Sequence, residues 1–366
     1  MSRFLKDSLQ GITPYTPGEQ TTNSKLIKLN TNENPFPPSP MVAEAIKKEE
    51  VEKLKLYSDS EAKELVSAAA EYYKVEEEQI LAGNGSDELL AFSFMAFGEK
   101  VYFPNITYGF YKVYGQVFGS LVTMIPLDKD LKINPKDYYN LNGTVVIANP
   151  NAPTGIALSK DQIEQILINN KENLVIIDEA YVDFGAESVV PLIDSYENLL
   201  VIQTLSKSRS LAGARIGVAI GNTEIINDLK KIKFSFNPYN LNRLSILAGA
   251  AAFKDKNYFE ECCKKIINTR ERFVKDLESS GFEVLPSKAN FVFVKPPGIS
   301  GGEYFQKLRE NHILVRYFND ILIKDYVRIT IGTEKEMDKI RDLLPALKNR
   351  TAHDSEDMIN LDKEER

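Results

Sequence analysis

The chain has 366 residues, a formal charge of −7, 43% apolar residues and 27% charged ones. Those values describe a globular protein with room for one large domain and a smaller one, and they exclude a disordered or fibrous chain. An acidic balance without a basic tract argues against a nucleic-acid partner, and no apolar run is long enough to cross a bilayer.

The N-terminus carries Arg3, Lys6 and Asp7 and has no apolar signal-peptide core, so no membrane role and a cytoplasmic location are expected. Cys262 and Cys263 are adjacent in a helical pattern, where neighbours point in different directions, so neither a disulfide nor a metal site is expected. Residues 1–38 are dense in Pro, Asn, Thr and Gly and read as an extended arm that packs on a neighbouring domain or subunit. A helix is expected from Ser39 or Pro40 to about Leu54, broken at 55–59, and a second over 61–73, capped by Asp59 or Ser60.

Next comes Gln79-Ile80-Leu81-Ala82-Gly83-Asn84-Gly85-Ser86-Asp87-Glu88, read as strand, glycine turn and helix start. Free backbone N–H groups at such a start favour a phosphate, although Asp87 is equally explained as a cap. Strands and helices then alternate: strands at 101–104, 144–148, 174–181, 199–202 and 216–220, helices opening at 107–111 and spanning 161–169. Apolar strands between helices imply an α/β fold with a mostly parallel sheet covered on both faces, and ligands of such sheets sit beyond the strands' carboxyl ends. Asn151, Asp178 and Lys207 all fall at that edge.

The pattern changes after about residue 250. A charged helix over 258–277, strands at 282–285, 291–294, 313–317 and 326–331, and helices at 304–310 and 334–347 describe a smaller α+β domain. The expected division is an arm and small-domain segment at 1–38, a large domain at 39–253, a small domain at 254–350 and a polar, disordered tail at 351–366. Arg316 and Arg328 fall within strands, where each is either a structural ion pair or an anion-binding group.

One stretch organises the rest: Thr204-Leu205-Ser206-Lys207-Ser208-Arg209-Ser210-Leu211-Ala212-Gly213-Ala214-Arg215-Ile216-Gly217. A lysine just past a buried strand can form a Schiff base with a carbonyl if its amine stays partly unprotonated. The nearby serine and arginine suit a phosphate. Together with Asn149-Pro150-Asn151-Ala152-Pro153-Thr154-Gly155 and Asp178-Glu179-Ala180-Tyr181, in this order and spacing, the stretch resembles the fold-type I aminotransferases that depend on pyridoxal 5′-phosphate (PLP). Asn32-Glu33-Asn34-Pro35, Leu56-Tyr57, Gly83-Asn84-Gly85-Ser86-Asp87-Glu88, Thr107-Tyr108-Gly109, Pro238-Tyr239-Asn240 and Val327-Arg328-Ile329-Thr330-Ile331-Gly332-Thr333 are similar to the histidinol-phosphate branch of that family.

The resemblance implies that Lys207 holds the cofactor and shuttles a proton, with Asp178 against the pyridine nitrogen. It implies that Tyr181 and Asn151 donate to the ring's phenolic oxygen and that Tyr108 stacks on the ring. Ser86, Asp87, Ser206 and Arg215 would surround the phosphate, and Tyr57 would reach the cofactor of a second subunit in a homodimer. Arg328, Arg316, Tyr15, Asn32 and Asn290 would bind substrate. Two features depart from the family pattern: Ala152 stands where many relatives have asparagine, so the Asn151 contact is either a replacement or missing, and Ser208-Arg209 is unusually polar. The reaction implied is L-histidinol phosphate with 2-oxoglutarate; transamination of aromatic amino acids and decarboxylation of phosphothreonine are the alternatives.

Overall fold

The computed structural model describes residues 4–20 and 25–344. The chain enters through β1 (Ile27–Lys28), then α1 (Pro40–Ala45), α2 (Lys48–Glu52) and α3 (Lys63–Tyr73). Next come β2 (Ile80–Asn84), α4 (Gly85–Phe97), β3 (Lys100–Pro104), α5 (Phe110–Phe118), β4 (Leu121–Ile125), β5 (Thr144–Ala148), α6 (Lys160–Ile168), β6 (Val175–Asp178), β7 (Leu199–Thr204) and β8 (Ile216–Gly221). Helices α7 (Thr223–Phe236), α8 (Arg243–Lys254) and α9 (Lys256–Ser279) follow. The remainder is β9 (Glu283–Val284), β10 (Phe291–Lys295), α10 (Gly301–Glu310), β11 (Ile313–Leu314), β12 (Arg316–Tyr317), β13 (Val327–Thr330) and α11 (Glu334–Arg341).

The central sheet has the order β2-β8-β7-β6-β5-β3-β4. Successive side chains alternate between its faces. Val145 and Ile147 of β5 join a core built with α3, α6 and α8, while Val146 and Ala148 join one built with α4, α5 and α7. Because both faces are covered, β5, β6, β7 and β8 are buried throughout, which is why they read as continuous apolar runs. The α/β expectation is met with one strand reversed: β8 runs antiparallel to both β2 and β7. That reversal brings the start of β8, and with it Arg215, to the same edge as the ends of β6 and β7.

A second sheet, β12-β13-β10-β9, packs against α9, α10 and α11 through Ile266, Phe273, Leu308, Met337 and Ile340. The arm is tied to this side of the molecule. Its β1 pairs in parallel with β11, and Leu29 is buried in the same core, which stabilises the attachment by about 2 kcal/mol.

Several sequence expectations are corrected. The helix expected over 39–54 divides after Ala45, because Lys47-Lys48-Glu49-Glu50 offers no apolar anchor and Val51 and Leu54 are exposed. The helix over 61–73 starts at Lys63, where the Asp59 carboxylate accepts the backbone N–H groups of Glu61 and Lys63 at 3.0 and 2.9 Å. The strand over 174–181 ends at Asp178, and the one over 313–317 splits into β11, paired with the arm, and β12, paired with β13. Edge strand β4 and helices α7 and α8 had no sequence counterpart. The tail at 351–366 and the end of the helix expected to 347 lie outside the described residues. Among the described residues no helix is long and apolar enough to cross a membrane.

Candidate active site

A cavity of about 500 Å³ opens where the ends of β3, β6 and β7 face the arm and the β12–β13 strands. Lys207 lies three residues beyond β7, and its Nζ donates to the carbonyl of Thr31 in the arm at 3.0 Å. Burial, reinforced by the nearby Arg328 charge, pulls the amine down to about 8. An amine so placed is unprotonated in roughly a tenth of molecules at pH 7, as a nitrogen nucleophile requires.

The lysine loop is held from behind. Asn34 Nδ2 donates to the carbonyls of Lys207 and Ser208 at 3.0 and 3.1 Å, and the Ser208 hydroxyl donates to Asp183. The polar Ser208-Arg209 pair is explained here: the Arg209 guanidinium sits 4.0–4.5 Å from the ring centres of Tyr72, Phe253 and Phe259 and donates to the Ala252 carbonyl.

Asp178 closes the floor of the cavity. Its carboxylate accepts from the Tyr111 hydroxyl at 2.7 Å and from the backbone N–H of Ala180 at 3.1 Å. Burial raises it to about 6 against those two donors, so a cationic N–H at this spot would restore its charged form.

On one flank the start of α4 meets the start of β8. Gly85 has a φ of +78°, and a Cβ there would stand 2.5 Å from a guanidinium nitrogen of Arg215; a Cβ on Gly217 would stand 2.5 Å from the Ser86 nitrogen. The positive φ at Gly85 and the backbone approach at Gly217 each call for glycine. The result is a cradle of Ser86, Ser206, Arg215 and the α4 N-terminus, which fits a phosphate. Asp87 accepts from Arg215 at 2.9 Å and from the Tyr108 hydroxyl at 2.7 Å, so it orients a cation and a ring here. Tyr108 lines the cavity, with Tyr15 at 6.0 Å and edge-on.

At the opposite end Arg316 and Arg328 are direct partners across the antiparallel β12–β13 pair, which places both on one face. Arg316 donates to the carbonyls of Thr16 and Pro17 at 3.0 and 3.2 Å, and Arg328 to that of Asn30 at 3.0 Å. Arg328 Nε is buried without a partner, and among the described residues no carboxylate pairs with either guanidinium. The structural ion pair considered for Arg316 is therefore absent among the described residues. The Tyr15 hydroxyl is held above its usual range by burial, opposed by both arginines.

Of the remaining site expectations, two are corrected. Asn151 is turned away from the cavity: its Nδ2 donates to the Ile106 carbonyl and Thr154 Oγ1, its Oδ1 accepts from Thr107, and Ala152 faces the cavity instead. Asn290 does not reach the cavity; it is fully buried, and its Nδ2 donates to the Asn32 carbonyl at 2.9 Å. Tyr57 is 83% exposed and stacks on Tyr239 at 4.7 Å, outside its own chain's cavity. Asn32 lines the cavity, but its amide is engaged by Tyr181 and Thr330. Thr31, Asn34 and Tyr111 were missed, and the one available signal was the Asn-Glu-Asn-Pro motif itself.

The sequence model of the family described as aminotransferase class I and II matches residues 24–344. A histidinol-phosphate aminotransferase of Brachyspira hyodysenteriae is 53% identical over 342 residues, covering 92% of this chain and 97% of that protein. One of Clostridium acetobutylicum is 51% identical over 345 residues, covering 93% and 98%. The solved histidinol-phosphate aminotransferase of Sinorhizobium meliloti, in complex with pyridoxal-5′-phosphate, superposes with a TM-score of 0.84 at 24% identity, covering 96% of this chain and 99% of that one, and shares its fold.

Proposed function

The chain belongs to the class I and II aminotransferases, and from that membership we propose that it transfers the amino group of L-histidinol phosphate to 2-oxoglutarate, with PLP as cofactor. The observation that carries the choice of substrate is the pair Arg316 and Arg328, side by side and without carboxylate partners, at the end of the cavity that holds Lys207. A phosphate monoester is a dianion, and two forked cations suit it better than one.

Bound PLP supplies an electron sink for the carbanion formed at the substrate's Cα. Lys207 Nζ would take up and give back the proton at the substrate's Cα, which its flexible stem and depressed pKa allow. Asp178 keeps the proton on the ring nitrogen. Ser86, Ser206 and Arg215 would hold the cofactor phosphate, and Tyr108 would cover the ring. Arg316 and Arg328 hold the donor's phosphate ester and then the distal carboxylate of 2-oxoglutarate.

The working unit in this proposal is a homodimer. Leu56, Tyr57, Phe236 and Tyr239 are 61, 83, 66 and 48% exposed, and a second copy covering them would bring Tyr57 to its partner's cofactor. A donor panel with 2-oxoglutarate tests the substrate. Glutamate formation from histidinol phosphate is expected to exceed that from phenylalanine, tyrosine or aspartate by at least about 10²-fold in kcat/KM. Equal rates with the aromatic amino acids, or CO2 release from phosphothreonine, would refute it.

A further inference from the structure

Tyr181 presents its hydroxyl to the cavity, and the direction of its proton is set by three groups behind it. Asn32 Nδ2 lies 2.9 Å from Tyr181 Oη. In its orientation here the amide turns Nδ2 to Tyr181 and Oδ1 to Thr330. Thr330 Oγ1 accepts the backbone N–H of Asn32 at 3.0 Å, so its single proton is free to bond Asn32 Oδ1, also at 3.0 Å. Asn290 Nδ2 donates to the Asn32 carbonyl at 2.9 Å. Asn32 is 1% exposed and has a φ of 57°, a left-handed conformation that asparagine and aspartate tolerate better than most residues.

An amide nitrogen has no lone pair to accept with, so the Tyr181 proton cannot turn toward Asn32. It has to face the cavity, where Lys207 Nζ stands 5.9 Å from the Tyr181 ring centre. We propose that Asn32 is a positioning residue that holds Tyr181 as a donor aimed at an anionic oxygen beside the Lys207 amine. This rests on the PLP reading above, in which that oxygen is the ring's phenolate. Thr330 takes part through Asn32, and it lies two residues from Arg328 on the same face of β13.

Other charges bear on the hydroxyl: Arg328 from β13, Lys207 from the lysine loop, Asp178 from β6 and Asp87 from α4. Burial raises the Tyr181 pKa, while Arg328 and the Asn32 hydrogen bond oppose the rise. A donor to the phenolate lowers the basicity of the neighbouring nitrogen, so losing it raises the pH at which the Lys207-linked cofactor deprotonates.

Asn32→Asp tests this. It keeps the shape and the backbone preference but replaces a donor by an acceptor, so the Tyr181 proton turns inward. The readout is the pH midpoint of the visible absorbance of PLP-loaded protein. Asn32→Asp is expected to raise it by about one pH unit or more. Thr330→Val, which frees the amide to flip and adds no charge, is expected to move it in the same direction by less. Retained PLP with an unmoved midpoint in Asn32→Asp overturns the proposal; should that variant not fold, an unmoved midpoint in Thr330→Val overturns it. If the unmodified protein forms no Lys207-linked band, the failure lies with the PLP reading instead.

Discussion

Lys207→Ala is expected to lower turnover by more than about 10⁴-fold while leaving the fold intact, because in the proposed reaction one side chain is both the nucleophile and the proton carrier. The amine makes one hydrogen bond, to the Thr31 carbonyl, so little packing is lost with it. Its pKa predicts a second signature. The folded state lowers the amine from 10.5 to about 8, so between those values the unfolded chain binds more protons than the folded one. Stability of the PLP-free parent therefore rises with pH through this window. The Ala variant loses that rise, which thermal melts at a series of pH values would detect. Turnover within tenfold of the parent would remove Lys207 from the chemistry.

Arg328→Ala is expected to cut kcat/KM by about 10²- to 10³-fold for amino donor and keto acceptor alike, the effect of deleting one partner of a desolvated charge pair. Both half-reactions should suffer because the same guanidinium serves two anions in turn. The fold should tolerate the change. Arg328 is half-buried, has no counter-charge among the described residues and makes one hydrogen bond, to Asn30, so its removal relieves an unpaired cation. Arg328→Lys should recover only part of the activity, since an ammonium cannot grip an anion with two parallel hydrogen bonds. Steady-state kinetics with each substrate varied would check this, and a defect confined to one half-reaction would contradict the shared role.

The residues that the sequence made legible are those carried by local pattern. Asp178 and Lys207 follow apolar runs, and a run of that kind ends at the ligand-facing edge of a covered sheet. Arg215 was legible as chemistry but not as geometry. It reaches the edge because β8 runs antiparallel, a direction its apolar pattern does not encode. Asn151 was misplaced for a related reason: whether it or Ala152 faces the cavity depends on the backbone between two prolines, not on residue type. The arm was the least legible part. Thr31, Asn32 and Asn34 contact Lys207, Tyr181 and Ser208 across 149 to 176 residues of chain, and no periodicity records such contacts. Its proline-rich composition pointed to an extended arm packed on a neighbour; the neighbours are β11 and the Lys207 loop of its own chain.

The central claim is a covalent link between Lys207 and the aldehyde of PLP, with Asp178 behind the ring. Borohydride reduction of PLP-loaded protein followed by peptide mass mapping tests it most directly. One reduced pyridoxyl group on the peptide containing Lys207 is the predicted result. Unmodified Lys207, or the label on another lysine, would contradict the account.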